Sequence, residues 1–288
     1  MKGEKQVFKS AGLVARYDKR KSLKLAEELI EHLKAKEIEV QIEDTLADKI
    51  NVREKFVPLR KMKTDFIITI GGDGTILRTC ATIPKPEPPI LAINMGVRGF
   101  LTEVEPKQAL NAIDKILKGQ YTIEKCMKLA ATANGTKFPD ALNEVIITHD
   151  EPAKLLYTRI LKDKQPILTC EADTLIIATQ TGSTGYSFSA RGPVLDPEVN
   201  AFVLTPICPL TDFHPIVFPA TSSLTVEVQK PKRMLLLTDG QQSQTISSKH
   251  PSITITRSKY ETSFIRFKEN LYNRLRNRLL FAPAGRRV

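Results

Sequence analysis

Five consecutive residues of this chain, Gly71, Gly72, Asp73, Gly74 and Thr75, combine glycines with a carboxylate between a strand pattern and a helix pattern. Such turns bind phosphates, because the first N–H groups of a helix have no partner within it. An anion site does not favour a carboxylate, so Asp73 is either the N-cap of the helix or a functional group. We favour a function: a base toward a hydroxyl that attacks a phosphate, a Mg²⁺ ligand, or both.

The residues around Asp73 favour a functional role over an N-cap, and they exclude two common nucleotide-binding motifs. Glycines on both sides exceed what a helix cap requires, and they permit positive φ and the close approach of a ligand. The pattern is neither G-x-G-x-x-G nor G-x-x-x-x-G-K-[ST], which excludes a dehydrogenase fingerprint and a Walker loop. Arg78 lies one helical turn after Gly74, where it either reaches a phosphate or remains a solvated helix charge.

Composition and charge limit the class of protein. The 288 residues suggest two domains, and 41% hydrophobic with 26% charged residues is typical of a globular protein. The sequence shows neither a bilayer-spanning apolar run nor a signal peptide, so we expect a cytoplasmic protein. The four cysteines lack zinc-type spacing and are expected to be free thiols. The net charge of +11 suits phosphate-bearing substrates better than nucleic acid, since no aromatic stacking motif is present.

The order of the predicted elements indicates the fold class. Residues 1–120 alternate strand and helix patterns, with Ser22 as the expected cap of the first helix and another helix beginning just beyond Gly74. This alternation favours an α/β domain with an open, mostly parallel sheet and flanking helices. Residues 121–267 contain short strand patterns and predict a β-rich second domain. The leucine stripe within 268–288 predicts a C-terminal helix that returns to the first domain.

Several blocks of the sequence, taken in order, resemble NAD kinases. "GGDGT" alone resembles the signature of a kinase superfamily that also contains diacylglycerol and sphingosine kinases and 6-phosphofructokinases. Four further blocks are similar to the motifs that distinguish NAD kinases within it: 94–106, 141–148, 172–197 and 238–241. The sequence of the third block and the tripeptide "PAK" at 152–154 most resemble those of archaeal members.

The resemblance implies a reaction and a set of roles. NAD kinases transfer the γ-phosphoryl group of ATP, or of polyphosphate in some members, to the adenosine 2′-hydroxyl of NAD. Asp73 matches the catalytic base, and Mg²⁺ or another divalent cation would neutralise the donor phosphates. Asn143 and Glu144 match the asparagine–glutamate motif, and an amide beside a carboxylate suits a sugar diol. An exposed strand end is the alternative for this pair.

The resemblance also assigns nucleotide or substrate binding to many positions, but it gives no metal ligand. The assigned residues lie in the glycine loop, the asparagine–glutamate motif and the later blocks: Gly72, Asp73, Gly74, Thr75, Arg78, Asn143, Glu144, Lys154, Asp173, Thr181, Ser183, Thr184, Gly185, Tyr186, Ser187, Phe188, Ser189 and Gln241. By themselves, residues 181–189 suggest a turn around a polar ligand. A serine hydrolase is disfavoured, because this segment lacks G-x-S-x-G and no histidine is an obvious partner.

The chain departs from the family pattern in three places. Ala172-Asp173-Thr174 stands where many relatives have G-D-G or C-D-G. Glu171 replaces a common arginine, which removes an expected substrate contact, and Arg191 replaces a glycine. We hypothesise that Arg191 supplies the missing positive charge.

Domains, partners and alternatives follow from the same resemblance. We expect an α/β domain over 1–120, joined by the helix 268–288, and an NAD-binding β-rich domain over 121–267. Relatives form dimers or tetramers, so a homodimer or homotetramer is expected, without membrane or nucleic-acid partners. Two alternatives stay open: another GGDGT-type kinase acting on a lipid or sugar, and a non-catalytic protein that binds NAD(P) or nucleic acid.

Overall fold

The computed structural model describes residues 8–267, with four exceptions: Val97, Arg98, Pro152 and Thr211. The C-terminal helix that the sequence predicts over 268–288 therefore lies outside the described residues. The chain forms two compact units. The first unit contains the residues up to Lys125 and those from Thr262 on, and the second contains Cys126–Glu261.

The first unit is an α/β structure. Its strands are β1 (Ser10–Ala15), β2 (Glu39–Glu43), β3 (Lys55–Val57), β4 (Phe66–Gly71) and β5 (Ile90–Asn94). Its helices are α1 (Arg20–Ala35), α2 (Asp73–Thr82) and α3 (Ala109–Leu117). The strands pair in parallel in the order β5-β4-β1-β2-β3. This arrangement confirms the predicted mostly parallel sheet.

The apolar pattern of the first unit explains its elements. Every residue of β4 and β5 is buried, as in a parallel sheet covered on both faces. Helix α1 buries Leu25, Leu29 and Leu33 in the same core at helical spacing. The prediction that Ser22 caps α1 is wrong: Lys19 is the N-cap, and Ser22 lies buried within the first turn.

The second unit is β-rich, as predicted. Its elements are β6 (Thr122–Ala133), β7 (Thr136–Lys137), β8 (Glu144–His149), β9 (Leu156–Lys162), β10 (Gln165–Ala172), β11 (Thr174–Ala178), α4 (Tyr186–Ser189), β12 (Ala201–Ile207), β13 (Ile216–Pro219), β14 (Leu224–Lys230), β15 (Arg233–Thr238), β16 (Gln242–Ser247) and β17 (Ser252–Arg266). The chain enters this unit within β6 and leaves it within β17.

The strands of the second unit form two antiparallel layers around one core. One sheet is six-stranded, in the order β13-β12-β11-β8-β15-β16. The other contains the run β10-β9-β14-β17. Alternating residues of both layers meet in the core, for example Ile147 and Ile177 from the first and Ile160 and Val226 from the second. The sequence predicts buried thiols outside any disulfide: Cys80 and Cys170 are buried, but Cys126 is half-buried and Cys208 is exposed.

Candidate active site

The glycine loop lies at the carboxyl end of β4, in the first unit. Helix α2 begins at Asp73, with Gly72 as its N-cap, so the prediction of a start beyond Gly74 was too late. The loop does not use the positive φ that its glycines permit, since Gly72 has φ −105 and the other loop glycines are not in that region. A Cβ on Gly72 or Gly74 would meet no described atom within 4 Å. The missing side chains therefore leave open space at the helix N-terminus.

The carboxylate of Asp73 is fixed by backbone amides. Its Oδ2 accepts a hydrogen bond from the N–H of Phe100 at 2.8 Å, and its Oδ1 accepts one from Leu101 at 3.1 Å. Phe100 and Leu101 belong to the second block that resembles NAD kinases, so the structure joins two motifs of the first unit. Asp73 is thus a carboxylate whose orientation is set by the backbone of a distant segment.

Arg78 is already engaged within the first unit. Its guanidinium makes a bidentate pair with the buried carboxylate of Glu43, at the end of β2, with Nη2 at 2.9 Å from Oε2. The pair raises the pKa of Arg78. A phosphate bound by Arg78 would therefore share the guanidinium with Glu43, and this role stays a prediction.

Replacing Gly74 by alanine separates stability from activity in this loop. Gly74 lies in the first turn of α2 with open space around it, so alanine is expected to raise the helix stability by up to about 1 kcal/mol. If a ligand uses that space, the added methyl group should lower turnover by roughly tenfold to 10²-fold. Thermal unfolding and a phosphoryl-transfer assay measure the two effects.

Thr82→Ala is the matched control for that variant, because Thr82 lies at the far, exposed end of the same helix. It should leave turnover unchanged. Wild-type turnover in Gly74→Ala would show that no ligand occupies the space beside this glycine.

Asn143 and Glu144 lie at the start of β8, in the second unit. The Asn143 Oδ1 and Glu144 Oε2 atoms are buried and have no hydrogen-bond partner among the described residues. A buried polar atom without a partner is costly, so such atoms in a native protein call for a ligand or ordered water. The alternative of an exposed strand end is wrong, since Glu144 is only 6% exposed.

Asp239 supports this pair, and the sequence did not single it out. It follows β15 in a turn and is 5% exposed. Its Oδ2 accepts from the N–H of Leu142 at 2.8 Å, and its Oδ1 accepts from Asn143 at 2.7 Å and Glu144 at 3.1 Å. One carboxylate therefore fixes three consecutive backbone amides. The only signal in the sequence was its place in the last motif block.

The surroundings of Glu144 raise the pKa of its carboxyl group. Burial, and then the charge of Asp239, raises the pKa of Glu144 to about 7, while the backbone amide of Tyr186 acts in the opposite direction. Burial also raises the pKa of Asp239, although three backbone amides and Lys128 oppose the change. Near neutral pH, Glu144 is thus poised between its acid and its carboxylate.

The hydroxyl-rich segment forms a short 3-10 turn, Gly182–Thr184, followed by α4. Several of its hydroxyl groups bind the protein itself. Ser183 Oγ donates to the carbonyl of Gln180 at 2.6 Å, and Ser187 Oγ shares a hydrogen bond of 2.8 Å with Thr205. Ser183 and Ser187 are fully buried. These two serines shape the turn, and a direct ligand contact for them stays a prediction.

The remaining residues of the segment are more accessible. Thr181, Thr184, Gly185 and Phe188 are half-buried, whereas Tyr186 and Ser189 are exposed. Thr184 Oγ1 donates to the carbonyl of Thr181 at 3.0 Å. This accessible side of the turn is where a ligand can lie against Asn143 and Glu144, because Gly185 is the neighbour of the Glu144 carboxyl.

Three predicted residues take separate positions in the second unit. Gln241 is exposed in the turn after Asp239, near the start of β8. Asp173 precedes β11, and Lys154 follows β8. The register pairs Thr174 with Thr148 and Ala178 with Glu144, so Asp173 lies at the opposite end of these strands. At about 3.3 Å per residue that end is roughly 15 Å away, and the structure does not bring Asp173 or Lys154 to the Asn143–Glu144 pair.

Arg191 and Glu171 also have defined places. Arg191 is exposed, with φ +65, directly after α4. The Glu171 carbonyl accepts a hydrogen bond from Leu210 at 2.9 Å. Compensation for the missing arginine by Arg191 stays a hypothesis.

Neither a membrane-spanning helix nor a clustered metal site is present among the described residues. No helix there is long and apolar enough to cross a membrane. No three His, Cys, Asp or Glu side chains in the same part of the chain lie together as a metal site. A Mg²⁺ ion in such a protein would have to take its other ligands from water and substrate phosphates, which is its usual mode of binding.

These features define a class: an α/β unit with a phosphate-type loop around a fixed aspartate, and a β-rich unit with a buried amide–carboxylate pair. A model of the ATP-NAD kinase N-terminal domain matches residues 11–121, and one of the ATP-NAD kinase C-terminal domain matches residues 142–267. The chain belongs to the ATP-NAD kinase family, and the predicted resemblance is confirmed. Its enzyme class is therefore that of the phosphotransferases.

Curated relatives and solved structures agree with this placement. The NAD kinase of Methanothermobacter thermautotrophicus is 38% identical over 272 residues, which are 93% of this chain and 95% of the relative. The NAD kinase of Thermococcus kodakarensis is 41% identical over 266 residues, 91% of this chain and 95% of the relative. An NAD kinase from Archaeoglobus fulgidus, solved in complex with ATP, has a TM-score of 0.76 at 29% identity and covers 93% of this chain and 98% of its own. A yeast NADH kinase complexed with NADH has a TM-score of 0.87 at 22% identity, over 98% of this chain and 90% of its own, which bears on the fold alone.

Proposed function

We propose that this chain transfers the terminal phosphoryl group of ATP to the adenosine 2′-hydroxyl of NAD, giving NADP. The observation that carries the proposal is the buried pair of Asn143 Oδ1 and Glu144 Oε2, which have no hydrogen-bond partner among the described residues. A ribose diol would supply the missing donors, because each hydroxyl can donate to one of these oxygens. The names of the relatives support the choice of NAD as the molecule that carries the diol.

Asp73 is the residue that we assign to proton transfer. A hydroxyl is a weak nucleophile, and a carboxylate within hydrogen-bond reach accepts its proton as the new bond to phosphorus forms. The amides of Phe100 and Leu101 hold the carboxylate in one orientation. The proton would pass from the 2′-oxygen to a carboxylate oxygen of Asp73, and the leaving group would be the diphosphate end of the donor.

The start of α2 is the part that we assign to the donor phosphates. The positive end of the helix dipole favours anions there, although the Thr75 N–H already donates to the Gly72 carbonyl at 3.0 Å. The open space beside Gly72 and Gly74 would let phosphate oxygens approach the backbone of Gly74. Mg²⁺ or another divalent cation, when bound, would neutralise the charge that develops on these phosphates. Asp73 is the nearby carboxylate of this loop and would be its protein ligand.

The second unit is the part that we assign to the rest of NAD. The accessible side of the turn 181–189 would contact the adenosine, with Tyr186 offering an exposed aromatic ring. Ser183 and Ser187 would act by shaping the turn. Contacts of Lys154, Asp173 and Gln241 with nucleotide are part of the proposal through the family resemblance.

The remaining proposals concern the setting of the reaction. Polyphosphate is the alternative donor. We propose a homodimer or homotetramer in the cytoplasm, from the family resemblance and the sequence.

The direct test is a coupled assay of the purified chain. NAD and ATP with Mg²⁺ are incubated with the protein, and an NADP-specific dehydrogenase reads out the product. Parallel reactions with polyphosphate, and with labelled ATP and a panel of lipids and sugars, separate the donors and the other GGDGT-type kinases. NADP formation is expected, and a labelled lipid or sugar without NADP would refute the proposal. Calorimetry with NAD, together with a salt series on DNA and RNA, tests the non-catalytic alternative.

Replacing Glu144 by glutamine is expected to stabilise the fold above neutral pH. The pKa of Glu144 is raised from 4.5 to about 7, so the folded state keeps a proton that the unfolded chain has already lost. This contribution to stability is complete below about pH 4.5 and is lost as the pH rises to about 7. The difference between the two pKa values corresponds to about 3 kcal/mol, an upper value for the gain in Glu144→Gln.

Unfolding of the wild type and the variant at pH 5 and pH 8 measures this effect. The two proteins should be close in stability at pH 5, and the variant should be more stable at pH 8. Glu227→Gln is the control, since Glu227 is an exposed carboxylate of the same unit, 3.8 Å from Arg159. A stability difference that is the same at both pH values would contradict the assignment to Glu144.

A further inference from the structure

Asp239 makes several hydrogen bonds to the backbone segment that contains Asn143 and Glu144. Besides accepting from the amides of Leu142, Asn143 and Glu144, it donates its own N–H to the carbonyl of Glu144 at 3.0 Å. The segment that contains Asn143 and Glu144 is thus held in place by Asp239, which lies 95 residues after Glu144 in the sequence. Its position at φ +53 is one that aspartate and asparagine tolerate better than most residues.

Lys128 brings a positive charge to the same place. It is 0% exposed, which is exceptional for a lysine and requires compensation by negative charge or hydrogen bonds. It lies in β6, where the neighbouring Leu129 forms a bridge with Ala141. That bridge places Lys128 beside Leu142, whose amide binds Asp239. The charge of Lys128 lowers the pKa of Asp239, against the effect of burial.

The groups around Glu144 form a small buried charge cluster. The charge of Asp239 acts on Glu144 from the turn after β15, and the charge of Lys128 in β6 acts in turn on Asp239. The start of α4 contributes the backbone amide of Tyr186, and the paired residue of β11 is the uncharged Ala178. With both carboxylates ionised, the cluster would have two negative charges against the single positive charge of Lys128. Asp239 accepts three amides and is therefore the carboxylate that stays ionised, while Glu144 takes the proton.

We propose that Asp239 and Lys128 are positioning residues for the phosphorylation of NAD: Asp239 fixes the direction of Asn143 and Glu144, and the opposite charges of Asp239 and Lys128 set the charge that Glu144 presents to the ribose hydroxyls. This inference rests on the proposed function. As a carboxylate Glu144 offers only acceptors to the ribose hydroxyl that donates to it, whereas as an acid it also carries an O–H donor, so we expect NAD to bind the carboxylate form more tightly. The KM for NAD therefore rises as the pH falls through the range in which Glu144 titrates, and kcat at saturating NAD changes less.

Two variants move this pH dependence in opposite directions. In Asp239→Asn a negative charge is lost, so Glu144 ionises more easily and the acid limb of kcat/KM for NAD moves to lower pH. In Lys128→Met the positive charge is lost, and the limb moves to higher pH. Each shift should be on the order of one pH unit, the size that a single nearby charge produces. The double variant should return the limb toward its wild-type position.

Asp239→Asn should also raise the KM for NAD at every pH, because the NH2 group that replaces one carboxylate oxygen cannot accept a hydrogen bond from a backbone amide, so one side of the Leu142–Glu144 segment loses its acceptor. This change reports the fixed geometry, whereas the opposite shifts report the charge. A purely structural role would lower stability in both variants without moving the two acid limbs apart.

Asp163→Asn is the matched control. Asp163 lies at φ +51 in a turn of the same unit and accepts from the amide of Ser223 at 2.9 Å, but it is exposed and belongs to the β9–β10 connection, which is not part of the sheet that contains β8. Its kcat/KM profile should match the wild type. If Lys128→Met fails to fold, Lys128→Gln replaces it, and Asp239→Asn alone still tests the direction of one shift.

A second readout needs no substrate. The pH range over which the wild type loses stability through Glu144 should move down in Asp239→Asn and up in Lys128→Met. Shifts in the same direction, or none, in an active wild type would overturn this inference. A wild type that makes no NADP would overturn the proposed function instead, while the substrate-free shifts would still report the cluster.

Discussion

Replacing Asp73 by asparagine is expected to reduce phosphoryl transfer by roughly 10²- to 10⁴-fold, the usual contribution of a general base. The variant keeps the size of the side chain, but its amide group cannot accept a proton. Binding of NAD should be retained, because asparagine still offers a carbonyl oxygen as an acceptor and Asn143 and Glu144 are unchanged. Coupled turnover assays measure the first effect, and calorimetry with NAD measures the second.

Asp65→Asn is the control that distinguishes a role in phosphoryl transfer from a role in holding the backbone. Asp65 belongs to the same unit and also accepts two backbone amides, those of Lys9 at 2.7 Å and Ser10 at 2.9 Å. This variant should lower thermal stability while turnover stays near that of the wild type. If Asp73→Asn behaved in the same way, with lower stability but normal turnover, Asp73 would be a loop anchor and not the base.

The α/β unit could be predicted well because its signals are local. Strands β4 and β5 are continuous apolar runs, and α1 shows helical spacing of leucines, so type and order follow from the sequence. The boundaries are weaker. The sequence predicts an N-cap at Ser22 because serine favours that position, but the helix begins at Arg20 and Ser22 is buried in its first turn. Packing of the helix on the sheet outweighed the preference of one residue.

The pairing of strands in the β-rich unit could not be predicted in the same way. Patterns at 252–257 and 262–267 predict two strands, yet β17 is one continuous strand through the polar residues between them. Strand β8 pairs with β11 and β15, which follow it at very different distances along the chain. Such pairings depend on the whole core, and no single segment specifies them.

The site was predictable where family motifs mark it, and less so where backbone contacts build it. Asn143 and Glu144 came from a motif, and the structure shows why the motif is buried. Asp239, Phe100 and Leu101 were missed, because they act through amide hydrogen bonds that join distant segments. The late motif had pointed to Gln241, which is exposed, whereas its neighbour Asp239 makes the buried contacts.

Replacing Gly182 by alanine is expected to disrupt the second unit and its ligand site together. A Cβ on Gly182 would lie 2.0 Å from the carbonyl oxygen of Asn143 and 2.4 Å from its carbonyl carbon, which no side-chain rotation can relieve. That backbone is already held by Thr179, whose N–H donates to the same oxygen at 2.8 Å. The turn would have to move away from β8, at a cost of about 3 kcal/mol or more.

The comparison with Gly185→Ala makes that prediction specific. A Cβ on Gly185 would lie 3.2 Å from the carbonyl oxygen of Gly182 and 3.4 Å from Glu144 Oε2, contacts that a small movement relieves. This variant should keep its thermal stability but bind NAD more weakly, because the methyl group stands beside the carboxylate. Gly182→Ala should lose both, by thermal unfolding and by calorimetry. Equal stability of the two variants would mean that the turn is not packed on Asn143. The turn would then not line the proposed diol site.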